Sequence, residues 1–195
     1  MKFFAYIGVI KAFEELDIKF DYVSGTSAGS LIAFLYSSGM KADDMFNLIS
    51  NRYSKIIEIK TGQVIVSALK SLVKNEITLN SLIDGTKLEK IIDEVINEKN
   101  INYNEIDKKL AIISCDTIST KEVVFLSEDC KLENTSRTAY EKNAPISKAI
   151  RASMSFPGVF TSCDYKDYNL IDGGTVNNLP SKILKDMGAD KVLRN

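Results

Sequence analysis

The sequence contains no histidine among its 195 residues, and this absence constrains its chemistry more than any other feature of the composition. It excludes every catalytic triad in which an imidazole accepts the proton of a serine or cysteine nucleophile. If a serine of this chain acts as a nucleophile, its proton must pass to a carboxylate, a lysine or water.

Cysteine, net charge and long apolar runs are also scarce. Three cysteines without a closely spaced pair favour neither a disulfide framework nor a zinc site, and they indicate a reducing compartment. A formal net charge of -1 gives no bulk electrostatic reason to expect nucleic-acid binding. No apolar run approaches the roughly 20 residues of a membrane-spanning helix. We therefore expect a cytoplasmic protein without a metal or cofactor.

Length and periodicity predict one α/β domain over residues 1–195. Helical spacing of apolar residues alternates with short apolar runs typical of strands. The predicted helices are 6–16, 31–39, 41–54, 86–99, 145–153 and 181–187, and the predicted strands are 18–23, 110–115, 122–126, 168–171 and 191–193. We expect an exposed loop at 129–143. The apolar segment 56–79 predicts a docked helix or a lid that touches lipid headgroups.

The stretch from Gly25 to Gly29 reads Gly-Thr-Ser-Ala-Gly and lies between a predicted strand and a predicted helix. In a nucleophile elbow the serine of Gly-x-Ser-x-Gly occupies a strained strand-to-helix turn, and the glycines remove Cβ atoms that would clash. Ser27 is therefore a candidate nucleophile, and the backbone N–H of Ala28 is a candidate oxyanion donor. An ordinary glycine-rich turn is the alternative, and a phosphate-cradling loop is disfavoured because no Gly-Lys-Ser/Thr ending follows.

Asp172 is the carboxylate that we pair with Ser27. It ends a predicted strand and precedes Gly173 and Gly174, whose freedom lets a loop present a side chain into a cleft. A plain turn-forming aspartate is the alternative. Arg151 invites two interpretations as well, since an arginine near a Pro-Gly turn either binds a phosphate headgroup or holds nearby carbonyl and carboxylate groups.

Four segments together resemble the patatin-like phospholipase family. They are the helix around residues 5–16, the elbow with its flanks at 21–30, the Arg-Ala-Ser-Met-Ser-Phe-Pro-Gly-Val-Phe stretch at 151–160, and Asp-Gly-Gly at 172–174 with Asn-Leu-Pro at 178–180. The resemblance implies a three-layer α/β/α fold with a largely parallel central sheet. It also implies a Ser27–Asp172 dyad that cleaves fatty-acyl esters of phospholipids through an acyl-enzyme, with peripheral membrane contact.

The chain departs from the family pattern at both ends. Such domains begin with a strand and a glycine-rich loop that supplies oxyanion N–H groups, whereas here Phe3 stands where the pattern has glycine. We therefore expect a domain incomplete at both ends. The second hypothesis is a catalytically impaired homologue that binds lipid or a partner chain, recovering the strand by strand addition. Head group, acyl length and oligomeric state are not predicted.

Overall fold

The fold is an α/β arrangement in a computed structural model that describes residues 3–52, 84–99, 101, 106, 108–127 and 131–194. The segment 56–79 lies outside the described residues. The helices are α1 (Phe3–Glu15), α2 (Ala28–Ser37), α3 (42–52), α4 (Thr86–Glu98), α5 (Ile146–Ser153) and α6 (Ser181–Asp186). The strands are β1 (Tyr22–Thr26), β2 (Lys109–Asp116), β3 (Glu122–Leu126), β4 (Thr138–Lys142), β5 (Cys163–Tyr165) and β6 (Tyr168–Asp172).

Strand β2 lies at the centre of the described sheet, and this position explains why its sequence is a continuous apolar run. Leu110 and Ile112 belong to the larger core, which lies against α1, α2, α4 and α5, while Ala111 and Ile113 belong to a smaller core against α6. Because successive side chains of a strand point to opposite faces, a strand covered on both faces has no polar side. The α/β class and the helical layers on both sides of the sheet are thus confirmed.

The sheet is mixed, which corrects the expectation of a largely parallel one. Strand β1 pairs parallel with β2, and β3 pairs parallel with β4. The pairs β2–β3, β2–β6 and β5–β6 are antiparallel. Short turns join β2 to β3 and β5 to β6, and connections of a few residues can only join antiparallel strands.

Several predicted boundaries differ from the observed ones. The elbow strand covers Tyr22–Thr26 and not 18–23, because its pairing with β2 begins only at Tyr22. The predicted loop 129–143 contains β4. The alternation of apolar and polar residues that marks a strand is not visible there, because the buried position 141 holds a glutamate, which pairs with Lys166. The three-residue β5 was not predicted. Residues 191–193 form no strand.

Gly8 offers a direct test of α1, since it lies at an exposed position within the helix and a Cβ there would meet nothing within 4 Å. Glycine in a helix interior is destabilising relative to alanine by roughly 0.5–1 kcal/mol. We expect Gly8→Ala to raise the free energy of unfolding by about that amount in urea titrations. A loss of stability would contradict the helical assignment at this position.

Candidate active site

The elbow serine has the backbone conformation that a nucleophile elbow requires. Ser27 directly follows β1 and precedes α2, with φ 55° and ψ -127°. A residue other than glycine rarely adopts a positive φ, and such backbone strain costs about 1–3 kcal/mol. The surrounding structure must therefore hold Ser27 in place, and strain of this kind concentrates at functional sites.

Close packing of α2 against β1 depends on Gly25. A Cβ built at Gly25 would lie 2.3 Å from the carbonyl oxygen of Gly29. The same construction at Gly29 meets only the Tyr6 ring, at 3.9 Å. The expectation that both glycines prevent a clash therefore holds for Gly25 and is wrong for Gly29.

The strands that lead to Ser27 and Asp172 end next to each other along one edge of β2. Strand β1 runs parallel to β2 and ends with Thr26 opposite Ile113. Strand β6 runs antiparallel and ends with Asp172 opposite Ser114, the next residue of β2. Both must lie on the edge away from β3, because β3 pairs with residues 111–115 of β2 on the other side. The two strand ends therefore converge on adjacent residues of β2.

The carboxylate of Asp172 is buried and only half satisfied. Its side chain is held at a residue exposure of 3%, and Oδ1 accepts a hydrogen bond of 2.8 Å from the backbone N–H of Gly174. Oδ2 has no hydrogen-bond partner among the described residues. Buried carboxylate oxygens normally have partners, so an exception points to a functional role. Oδ2 is the oxygen available to take a proton.

Gly173 is required because the chain passes very close to β2 directly after β6 ends. A Cβ at this position would lie 2.3 Å from the carbonyl oxygen of Ile113 on β2. Gly174 is less constrained, since its Cβ would lie 3.1 Å from Asp172 Oδ1. The chain turns here in a short 3-10 helix, Gly173–Thr175, which directs the Gly174 N–H back to the carboxylate.

The segment after this turn is tied to the elbow. The hydroxyl of Thr26 donates to the carbonyl oxygen of Asn177 at 2.9 Å, and the Asn177 side chain donates to Glu122 Oε1 at 2.6 Å. Ser27 itself donates its N–H to Ser153 Oγ at 2.9 Å. No local pattern predicts the roles of Asn177 and Ser153, because each bond depends on residues distant in the chain.

One candidate oxyanion donor is visible at the start of α2. Ala28 is the first residue of this helix, a position whose N–H has no acceptor within the helix. The helix dipole places partial positive charge at the same end. Phe3, at the position where the resemblance implies a glycine, is instead a fully buried residue of α1.

Three other ionisable side chains in or beside the sheet, those of Cys115, Asp116 and Cys163, are held in environments that favour a structural role. Burial alone would raise the pKa of Asp116, but hydrogen bonds from Ser119 and the Asn169 N–H outweigh it and hold that pKa below its ordinary value. Burial raises the pKa of the thiols of Cys115 and Cys163. Neither thiol is therefore a ready nucleophile.

Arg151 is engaged within the protein. Its side chain is buried, and its guanidinium donates to Ser155 Oγ at 3.2 Å, Thr161 Oγ1 at 3.2 Å and the carbonyl oxygen of Ser162 at 3.1 Å. Glu89 Oε2 lies 3.8 Å from Nε, which is an ion-pair contact, and Nε has no hydrogen-bond partner among the described residues. These contacts support the structural interpretation of this arginine over a headgroup site. No cluster of metal-ligating side chains occurs in the part of the chain that the structure describes.

An open, mainly apolar cavity of about 210 Å³ runs along the other edge of β1. All residues of β1 line it, together with Ile10 of α1, Leu184 of α6 and Val192. Within the described residues β1 pairs only with β2. Neither Ser27 nor Asp172 lines this cavity, so it is separate from the two candidate residues.

Comparison with known proteins finds a family model and several relatives that match most of this chain. The family model described as "Patatin-like phospholipase" matches residues 1–185. Patatin-like phospholipase domain-containing protein 6 of Homo sapiens is 29% identical over 191 residues, which cover 97% of this chain and 12% of that protein. Protein 7 of Rattus norvegicus is 26% identical with the same coverage. An NTE family protein of Mycobacterium bovis is 21% identical over 92% of this chain and 26% of its own length. The chain thus spans a small part of these relatives.

Proposed function

The chain belongs to the patatin-like phospholipase family, and on that premise we propose that it is a serine lipid acyl hydrolase with Ser27 as nucleophile and Asp172 as general base. The proposal is carried by the placement of a strained serine near a buried carboxylate whose Oδ2 lacks a partner among the described residues. Ser27 directly follows β1 and Asp172 ends β6, and these two strands end at neighbouring residues of β2.

The first half of the reaction forms an acyl-enzyme. Ser27 Oγ attacks the acyl carbonyl carbon while its proton passes to Asp172 Oδ2, and the carbonyl oxygen takes the negative charge. An aspartate with a reference pKa of about 3.9 is a weak base, so proton transfer must accompany attack. The Ala28 N–H stabilises the oxyanion. Asp172 then returns the proton to the leaving alcohol as the ester C–O bond breaks.

The second half releases the fatty acid. Water attacks the acyl carbon, and Asp172 Oδ2 accepts one of its protons. Collapse of the second tetrahedral intermediate breaks the bond to Ser27 Oγ, which recovers the proton from Asp172. No metal or cofactor takes part in these steps.

A lipid substrate at a membrane surface agrees with three exposed apolar side chains on the segments that follow Ser155 and Asp172. Phe156, Val176 and Leu179 are 57%, 43% and 46% exposed. Phe156 follows Ser155, whose carbonyl oxygen accepts the Asp172 N–H, and Val176 follows the 3-10 turn. Exposed apolar residues that flank a site are typical of lipid or membrane contact. None of the described helices has the length and apolarity to span a bilayer. On the exposed apolar residues, we propose a cytoplasmic protein that binds the membrane peripherally.

Fatty-acid release from defined substrates tests this function. Phosphatidylcholine vesicles, lysophosphatidylcholine micelles and a neutral diglyceride emulsion would be incubated with the protein, with and without a fluorophosphonate. We expect release from at least one substrate and its loss after fluorophosphonate treatment. A folded protein that releases no fatty acid from any of the three, and takes up no fluorophosphonate, would contradict the proposal.

The alternative of a catalytically impaired binding module is favoured by the edge of β1 opposite β2, which pairs with no strand among the described residues. The apolar cavity lies beside β1, so an extended peptide added at this edge would bury its side chains there while its backbone pairs with β1. This candidate predicts that an apolar strand-forming hexapeptide slows amide exchange at residues 22–26. If the peptide protects these amides while no hydrolysis occurs, the result supports the binding-module function and contradicts the hydrolase function.

A further inference from the structure

Residues 153–155, which are the end of α5 and the turn after it, contact the backbones of both Ser27 and Asp172. Ser153, the last residue of α5, is fully buried, and its Oγ accepts the Ser27 N–H at 2.9 Å. Ser155, which is equally buried, accepts the Asp172 N–H on its backbone oxygen, also at 2.9 Å. Two residues of one turn therefore hold the backbones of the nucleophile and of the base.

We propose that Ser153 is a positioning residue for Ser27, and that residues 153–155 set the distance between the two reacting side chains. The proposal rests on the hydrolase function proposed above. Ser153 touches neither the substrate nor a transferred proton in this scheme, because its bond is to the backbone of Ser27. Its contribution is to fix the direction of the Ser27 side chain.

The strain at Ser27 explains why such a residue is needed. With φ at 55°, the serine relaxes to an ordinary conformation unless its peptide groups are held on both sides. On the carbonyl side, Ser30 donates to the Ser27 oxygen through its N–H at 2.9 Å and its hydroxyl at 2.6 Å. On the amide side, Ser153 Oγ supplies the acceptor. Ser153 thus completes the restraint that keeps the elbow in its strained form.

The turn is itself anchored, so it can act as a fixed reference. The Arg151 guanidinium donates to Ser155 Oγ, and the Ser155 hydroxyl donates to the Arg151 carbonyl oxygen at 2.9 Å. The same guanidinium reaches Thr161 and Ser162 beyond the Pro-Gly turn. These hydrogen bonds join the residue before the turn, Arg151, to the turn itself and to residues after it. The turn therefore shifts only if several hydrogen bonds break together.

The test compares Ser153→Ala with Ser37→Ala in the full chain. Ser37 is a buried serine at the far end of α2 whose hydroxyl donates to the Ala33 carbonyl oxygen at 2.7 Å, so it matches the deletion without touching the dyad. Two readouts are taken: kcat and KM for fatty-acid release, and the amide exchange rate of Ser27 by NMR. Ser153→Cys, which keeps an atom at the γ position, replaces the alanine variant if that variant does not fold.

We expect Ser153→Ala to lower kcat by about 10- to 100-fold with KM within about threefold, since small misplacements of a reacting group have effects of that size. We expect the Ser27 amide to exchange at least about tenfold faster, because it loses its acceptor. Ser37→Ala should change neither quantity. Unchanged exchange at Ser27 would overturn the restraint, and faster exchange with unchanged kcat would overturn the positioning role. A wild-type protein without hydrolysis overturns the proposed function instead, while the exchange rates still decide the restraint.

Discussion

Ser27→Ala is expected to lower kcat/KM for acyl-ester hydrolysis by at least about 10³-fold, because the substitution removes the atom that forms the acyl-enzyme. Asp172→Asn should lower it by a similar factor, since the amide keeps its oxygen toward the Gly174 N–H and places at the Oδ2 position an NH2 group, which cannot take the proton. The two losses should not add in the double variant, because residues that act as one unit fail together. Rates of fatty-acid release for the three variants measure this.

Matched controls separate loss of chemistry from loss of structure. Ser38→Ala removes a hydroxyl that donates to the Leu35 carbonyl at the other end of α2. Asp167→Asn removes an exposed carboxylate from the turn between β5 and β6. Both controls should retain wild-type kcat/KM within about threefold, as surface changes usually do. Substantial residual activity in Ser27→Ala would exclude the acyl-enzyme mechanism.

The second large effect concerns stability and falls on Gly173. An alanine Cβ there would lie 2.3 Å from the Ile113 carbonyl oxygen, and backbone of a central strand cannot move aside. Overpacking usually costs about 1–3 kcal/mol, and a clash with fixed backbone belongs at or above the top of that range. We expect Gly173→Ala to lower the free energy of unfolding by about 3 kcal/mol and to abolish hydrolysis.

Gly25→Ala should resemble Gly173→Ala, because its Cβ would lie equally close to the Gly29 carbonyl oxygen. Gly8→Ala is the control of opposite sign, since the added methyl meets nothing within 4 Å. Urea unfolding of the three variants measures the contrast. Equal stabilities for Gly173→Ala and wild type would contradict the convergence of β1 and β6 on β2.

The parts of the fold that the sequence predicts are those encoded by local patterns. Apolar runs at 110–115 and 122–126 predicted β2 and β3, and apolar residues at helical spacing predicted α4. The strand β4 was missed because Glu141 is buried through its contact with Lys166, which is distant in the chain. A polar residue that is buried by a remote partner leaves no local signal.

The candidate site divides in the same way. Local motifs indicated Ser27 and Asp172, and the absence of histidine limited the base to a carboxylate, a lysine or water. The roles of Ser153 and Asn177 depend on hydrogen bonds that join residues 55 to 151 positions apart, as in the bond from Ser27 N–H to Ser153 Oγ. Such contacts follow from sheet topology, and a pattern within one segment does not contain them.

The most direct test of the dyad is the mass and position of a covalent adduct. The protein would be treated with a fluorophosphonate, its intact mass measured, and the modified peptide sequenced. A single adduct on Ser27, with uptake slowed at least about 10²-fold in Asp172→Asn, is the result that this account predicts. An adduct on another residue, or a folded wild-type protein that takes up no fluorophosphonate, would contradict it.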